Sequence, residues 1–337
     1  MLDRALAIPL HRAAQLAAPV LVQGPRSAGK TTLLRREFPA HTYLPLDDAA
    51  LRQRARQDPA TFLARLRGPA FVDDLHRAPE LAAYLAAHPA AHRLVLASSR
   101  RLALPVTTFE LYPPTPAELE RRPPLSLAML GHFVPAPISP PPSYPAWPAT
   151  RSYLDHDLAA LLQVRDRDQF ERFAHTAAAR SGQILDQQSL ARECHISHRT
   201  AVRWLAVLDL CFATLRLPPA PLPLGRRLHR APKLHFHGSD HFESRAITTL
   251  YRNACHAGLS PRFHYWKDSN GLEIPLVLME ETAPPLPVVP LAEPHPVAEA
   301  RLRRWMQLAH VDHGALITSR PGPSRRGGIR RYALDQL

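Results

Sequence analysis

The chain has 337 residues, 45% of them hydrophobic, with a net charge of +13, enough for two or three domains with buried cores. No stretch of about 18 apolar residues occurs, so a membrane span is not expected. The three cysteines, Cys194, Cys211 and Cys255, give no disulfide framework, and the early Asp3 argues against a signal peptide, so the expected location is cytoplasmic.

The positive charge invites a nucleic-acid partner but is discounted by composition. Only Lys30, Lys233 and Lys267 among 42 basic residues are lysine, a bias that puts arginine on ordinary solvated surfaces. A basic position taken at random would be lysine about one time in fourteen.

In chain order, residues 4–18 read as an amphipathic helix and "PVLVQG" (19–24) as a buried strand. The next segment, "GPRSAGKTT" (24–32), has Gly24, Gly29, Lys30 and Thr31 at the spacing of a phosphate-binding loop, and "KTTLLRREF" (30–38) opens a helix. Strand, glycine loop and helix in this order make an anion site from backbone N–H groups and a helix N-terminus. Lysine stands at the one position where a compact ammonium must reach the β- and γ-phosphates. The expected nucleotide contacts are therefore Gly24, Pro25, Arg26, Ser27, Ala28, Gly29, Lys30, Thr31 and Thr32, the ligand ATP, and the hydroxyl partner of Mg²⁺ Thr31.

A strand at 42–48 follows, then one helix over "AALRQRARQDPATFLARLR". "AFVDDL" places Asp73 at a strand end, where a carboxylate can hold Mg²⁺, and Asp74 where it would orient the attacking water. The plainer alternative is a strand end with helix-capping acids. "ELAAYLAAHPAA" is helical, "RLVLASSR" (93–100) is a strand offering Ser98 or Ser99 as a γ-phosphate sensor, and 107–122 adds a short strand and a turn. Alternating strands and helices predict a parallel sheet with ligands at the strand C-terminal ends.

Residues 133–150 carry seven prolines and read as a stiff linker. Residues 151–216 look all-helical; within them "QQSLARE" (187–193) and "SHRTAVRWLAVLDL" (197–210) read as supporting and recognition helices of a winged-helix element. Ser197 is the expected N-cap, Leu190, Ile196, Val202 and Leu205 the core, and His198, Arg199 and Arg203 the groove-facing residues for double-stranded DNA. A lid or force-passing role is the competing reading. Strand-like pieces follow from 233 onward. His235 with His237, and Cys194 with His195 and His198, lack the companions of a zinc site and read as ordinary histidines.

Taken together, "GPRSAGKTTLLRREFP", "YLPLDD", "FVDDLHRAPEL" and "LVLASSR" resemble the bacterial and archaeal AAA+-type ATPases with a DUF4143 C-terminal region, and residues 153–219 resemble the helical part of DUF4143. The resemblance implies an α/β fold in three parts. They are an AAA+-like nucleotide-binding parallel sheet (1–132), the helical winged-helix-type domain (151–216) and a small α/β restriction-endonuclease-like domain (217–337). It implies Lys30 and Asp74 as the catalytic pair, Thr31 and Asp73 on Mg²⁺, an unidentified protein partner or DNA, and room for self-assembly. Three departures stand out. The family's Asp-Glu is Asp73-Asp74 here, the arginine-bearing segment after the sensor strand is missing with only Arg100 or Arg101 to replace it, and the nuclease-like part keeps Glu273 but has Pro275 for the metal-binding aspartate. The expected function is a slow ATPase coupling nucleotide state to a macromolecular partner, with no nuclease activity; the alternative is a nucleotide-gated regulator that does not hydrolyse ATP.

Overall fold

The computed structural model describes residues 2–15, 18–88, 93–120, 167–224, 230–280, 283–320 and 325–337. The proline-rich segment 133–150 and the start of the expected helical domain lie outside the described residues. Two compact units divide the chain: Met1–Pro124 with Leu210–Phe212 and Arg252–Ser260, and the remainder.

In the first unit, α1 (Ala7–Ala14) precedes β1 (Val20–Gln23), and α2 (Lys30–Glu37) follows the glycine loop. Then come β2 (Thr42–Pro45), α3 (Ala49–Gln57), α4 (Pro59–Ala64), β3 (Ala70–Asp73), α5 (Pro79–Ala87), β4 (Leu94–Ser98), β5 (Thr107–Glu110) and α6 (Pro116–Leu119). The single helix expected over 49–67 is two. Pro59 has no N–H to continue α3, and Asp58 ends one helix and caps the next by accepting from Thr61 N at 3.0 Å.

The five strands form one parallel sheet in the order β2-β3-β4-β1-β5. β1, β3 and β4 are buried along their whole length, as strands covered on both faces must be. Side chains alternate between the two layers. Val20, Val22, Phe71, Val95 and Ala97 pack with Leu10, Leu33 and Leu34, whereas Leu21, Val72, Leu94 and Leu96 pack with Leu63, Leu81 and Leu85. Because all strands run one way, Gln23, Pro45, Asp73 and Ser98 end at the same edge of the sheet, with Gln23 opposite Ser98 and Pro45 opposite Asp73. That edge is where a parallel sheet binds its ligand.

The second unit starts with α7 (Arg167–Ala179), β6 (Gln183–Ile184), α8 (Gln187–Glu193), α9 (His198–Leu210), β7 (Thr214–Leu217) and β8 (Lys233–Phe236). Residues 151–216 were expected to be all-helical, yet β6 and β7 fall within them. With β8 they make an antiparallel sheet of order β6-β8-β7, whose β7–β8 pair spans the boundary drawn at residue 217. Trp204 sits edge-on to Phe170 and Phe173 at 5.5 and 5.3 Å and fills the core of this part. Leu190 and Leu205 are buried as expected, but Val202 is exposed, because the buried stripe of α9 runs through Ala201, Trp204, Leu205 and Leu208.

The rest of the unit comprises α10 (Phe242–His256, whose last turn belongs to the first unit), β9 (Phe263–Lys267), β10 (Glu273–Leu278), β11 (Leu286–Pro290), α11 (Pro296–Leu308), β12 (Gly314–Thr318), β13 (Arg325–Arg326) and β14 (Ile329–Ala333). These strands form a mixed six-stranded sheet, β13-β14-β12-β11-β10-β9, antiparallel across β9, β10 and β11 and parallel across β11, β12 and β14. Ala246, Ile247 and Leu250 cover one face, and Leu302, Trp305 and Met306 the other.

Candidate functional site

The glycine loop leaves β1 at Gly24 and enters α2 at Gly29. A Cβ on Gly24 would stand 1.9 Å from the carbonyl oxygen of Leu111, whose N–H is itself bonded to Gln23 O, so only glycine fits against that backbone. Gly29 is the N-cap of α2 at φ +89°, a left-handed conformation that glycine adopts freely. Pro25 and Ala28 are buried, Arg26, Gly29 and Thr31 half-buried, and Ser27 and Thr32 exposed. The Lys30 side chain is buried, and its Nζ donates to Gly24 O at 2.9 Å and Pro25 O at 2.7 Å. A buried ammonium held by two carbonyls of its own loop lies where an anionic ligand would meet it.

Thr31 stands next to the acid at the end of β3. Its Oγ1 donates to Asp73 Oδ2 at 2.7 Å, and Asp73 Oδ1 accepts from Asp74 N at 3.0 Å. Tyr43, from the neighbouring β2, donates to the same Asp73 Oδ2 at 3.1 Å. Burial raises the Asp73 pKa above the ordinary carboxylate range, and the adjacent Asp74 adds to the effect. Burial and the Asp73 charge push the Tyr43 phenol up to about 12, so it stays a donor at neutral pH. A hydroxyl and a carboxylate oxygen in contact, the latter short of positive charge, suit an oxygen-seeking divalent cation such as Mg²⁺. Thr31 and Asp73 would hold it, and its chemistry would be to neutralise charge on phosphate oxygens.

Asp74 occupies a left-handed backbone position, φ +57°. Its Oδ2 accepts from Arg77 Nε at 3.2 Å, and its Oδ1 lies 3.4 Å from Ser99 Oγ and 3.9 Å from His76 Nδ1. Both oxygens of the expected water-orienting acid therefore have neighbours. Of the two serines at the end of β4, Ser99 is the one that reaches Asp74. Ser98, expected to face the γ-phosphate, is fully buried; its Oγ donates to Arg100 O at 2.6 Å and accepts from Arg100 N at 3.1 Å, closing the strand end. Arg101 pairs with Glu110 and lies 4.3 Å from the centre of the Phe212 ring, which anchors it within its own unit.

Two residues of the site carry no sequence signal. Tyr43 donates to the acid at the end of β3, and Arg4 donates to the loop carbonyl of Ala28 at 2.7 Å.

In the second unit His198, Arg199 and Arg203 are all exposed on α9, and Ser197 Oγ accepts from Thr200 N at 3.0 Å, the expected capping bond. Glu273, at the start of β10, shares Lys233 with a second carboxylate, Glu243. Lys233 and Lys267 hold Glu273, the latter at 2.8 Å, and Lys233 also donates to Glu243 at 3.0 Å. Burial opposes ionisation of Glu273, but the two lysines prevail and lower its pKa. His235 is buried with Nδ1 3.0 Å from Ser244 Oγ, and burial lowers its pKa to about 3.

The five-stranded parallel sheet with the loop–lysine–threonine–aspartate arrangement at its edge is the layout of a P-loop NTPase-like domain. Residues 17–112 match the family described as "AAA domain". Residues 148–239 match "Domain of unknown function (DUF8612)", where the resemblance had pointed to DUF4143. The chain is 30% identical over 263 residues to "Uncharacterized protein Rv2008c" of Mycobacterium tuberculosis and, equally, to "Uncharacterized protein Mb2031c" of Mycobacterium bovis. The matched stretch covers 69% of this chain and 57% of each relative, so the chain spans little more than half the length of these curated proteins. Among the described residues no helix is long and apolar enough to cross a membrane.

Proposed function

We propose that the chain binds ATP with Mg²⁺ at residues 24–32, hydrolyses it slowly, and conveys its nucleotide state to double-stranded DNA. The observation that carries ATP binding is the Lys30–Thr31–Asp73 group, a buried ammonium and a hydroxyl–carboxylate pair at the C-terminal edge of a parallel sheet. Slow hydrolysis follows from the catalytic side. The water-orienting acid is an aspartate already engaged by Arg77, and one of the two candidate fingers, Arg101, is tied to Glu110. A missing finger can be worth about 10³–10⁵ in turnover. The assay is phosphate release: a low rate in the wild type that Lys30→Ala abolishes supports the reading, and a rate unchanged in Lys30→Ala sinks it.

The DNA part of the proposal is supported by the winged-helix order of elements from α7 to β8 and by exposed His198, Arg199 and Arg203 on α9. Affinity for duplex DNA should fall steeply with salt, and removing Arg199 and Arg203 should lower the slope of log K against log salt by about 2. Binding insensitive to both would leave this element a lid or a protein-docking module.

The engagement of Asp74 by Arg77 favours a second reading, a nucleotide-gated regulator without significant turnover. ATP binding with no measurable phosphate release, with or without DNA, would select it.

A further inference from the structure

We infer that Arg4 is a positioning residue of the phosphate cradle, a role that rests on the nucleotide-binding reading above. Arg4 lies ahead of α1 with its side chain only 7% exposed. Its guanidinium makes three directed bonds within the first unit: Nη1 to Ala28 O at 2.7 Å, Nη2 to Tyr112 O at 2.6 Å and Nε to Glu118 Oε1 at 3.0 Å. The fork is itself fixed. Glu118 accepts from Ala5 N at 3.0 Å and from Thr115 N at 3.1 Å, and His256 Nδ1 lies 3.0 Å from its second oxygen. On the far side of the imidazole, His256 Nε2 accepts from Tyr112 N at 3.0 Å. Burial works against ionisation of Glu118, but His256 and Arg4 lower its pKa to about 2, so it is charged at neutral pH.

Ala28 O belongs to the peptide that joins the loop to Gly29, the N-cap of α2. That peptide is trans and planar, so its N–H points opposite to its carbonyl. With the carbonyl held by Arg4, the Gly29 N–H is turned away from the guanidinium and presented to the phosphates. A free loop must spend binding energy to order this peptide; a clamped one does not. Because Glu118 balances the Arg4 charge, the effect is one of geometry, distinct from the direct attraction that Lys30 supplies. It should persist at high salt.

Arg4→Lys separates the two kinds of contribution. It keeps the charge, but one ammonium cannot span the three acceptors that the planar fork reaches. The test is ATP titration calorimetry on the full chain with Mg²⁺, at low and high salt, beside thermal unfolding and amide NMR with inorganic pyrophosphate. We expect Arg4→Lys to bind ATP about 10- to 100-fold more weakly at both salt levels. We also expect the pyrophosphate-induced shift of the Gly29 amide to be lost while that of Thr31 survives. A purely structural Arg4 would lower the unfolding temperature and leave affinity within twofold, and that result overturns the inference. Should Arg4→Lys fail to fold, the wild-type spectrum decides: a Gly29 amide that pyrophosphate leaves unmoved overturns it equally. Wild-type binding of ATP that Lys30→Ala abolishes, with Arg4→Lys unaffected, would refute the Arg4 role and leave the nucleotide site standing.

Discussion

Replacing Asp74 by glutamate tests whether the short acid limits turnover. The carboxylate of Asp74 leaves a left-handed backbone position and is held by Arg77 at 3.2 Å and faced by Ser99 at 3.4 Å. Glutamate adds one C–C bond, about 1.5 Å of reach, enough to carry the oxygens past both neighbours. Three magnitudes compete. Misplacement of a reacting group by about 1 Å costs on the order of 10²-fold in rate, or about 2.7 kcal/mol of barrier. Giving up the Arg77 pair, whose side chains are 34% and 25% exposed, costs no more than about 1 kcal/mol. Placing glutamate at a left-handed position costs roughly 1 kcal/mol of stability and nothing in the barrier. The barrier gain wins, so Asp74→Glu is expected to raise phosphate release by about 10²-fold at saturating ATP, with unchanged ATP affinity and a slightly lower unfolding temperature. Turnover equal to or below wild type, with ATP still bound, would show that Asp74 does not orient the water.

Two further outcomes follow from contacts elsewhere in the chain. Gly24→Ala would press a Cβ to 1.9 Å from Leu111 O, a backbone atom of a residue whose N–H is bonded to Gln23 O, so thermal unfolding should register a loss of about 2–3 kcal/mol, or the variant should not fold. Acid should destabilise the protein in two stages. Burial lowers the folded pKa of His235 to about 3 and also lowers that of His256, so both prefer the neutral form. Their contribution is complete above the unfolded value near 6.5 and is lost as pH falls, roughly 2 kcal/mol by pH 5 for His235 alone. The Glu118 contribution, present above about 4.5, then fades towards its folded value of about 2. Denaturant unfolding from pH 8 to 3 reads both; a midpoint that is flat from 7 to 5 would contradict the first.

The core of the site was legible because it is local. Within fourteen residues a buried strand, two constrained glycines, a lysine rare in this chain and a helix start specify one geometry, and "AFVDD" announces the acid that meets Thr31. Tyr43 and Arg4 were not legible, since their contacts join residues 30 and 24 to 114 positions apart and neither belongs to a motif. Ser98 is the serine expected to sense the γ-phosphate, but neighbouring residues at a strand end face opposite ways, and it is the Ser99 hydroxyl that lies against Asp74. The split at Asp58-Pro59 was visible as a capping residue before proline, but the apolar spacing continues across it and masked the break. In α9 the core stripe runs through Trp204, and a stripe drawn through Val202 is out of phase with it. The two-residue β6 is too short to leave any alternation to read.

The central claim is that the loop at residues 24–32 binds ATP through Lys30. Calorimetric titration of the full chain with ATP and Mg²⁺, wild type against Lys30→Ala, tests it most directly. Saturable one-site binding in the wild type, weakened about 100-fold or more in Lys30→Ala, is the predicted result. Equal affinity in the two proteins, or no binding in the wild type, would contradict it.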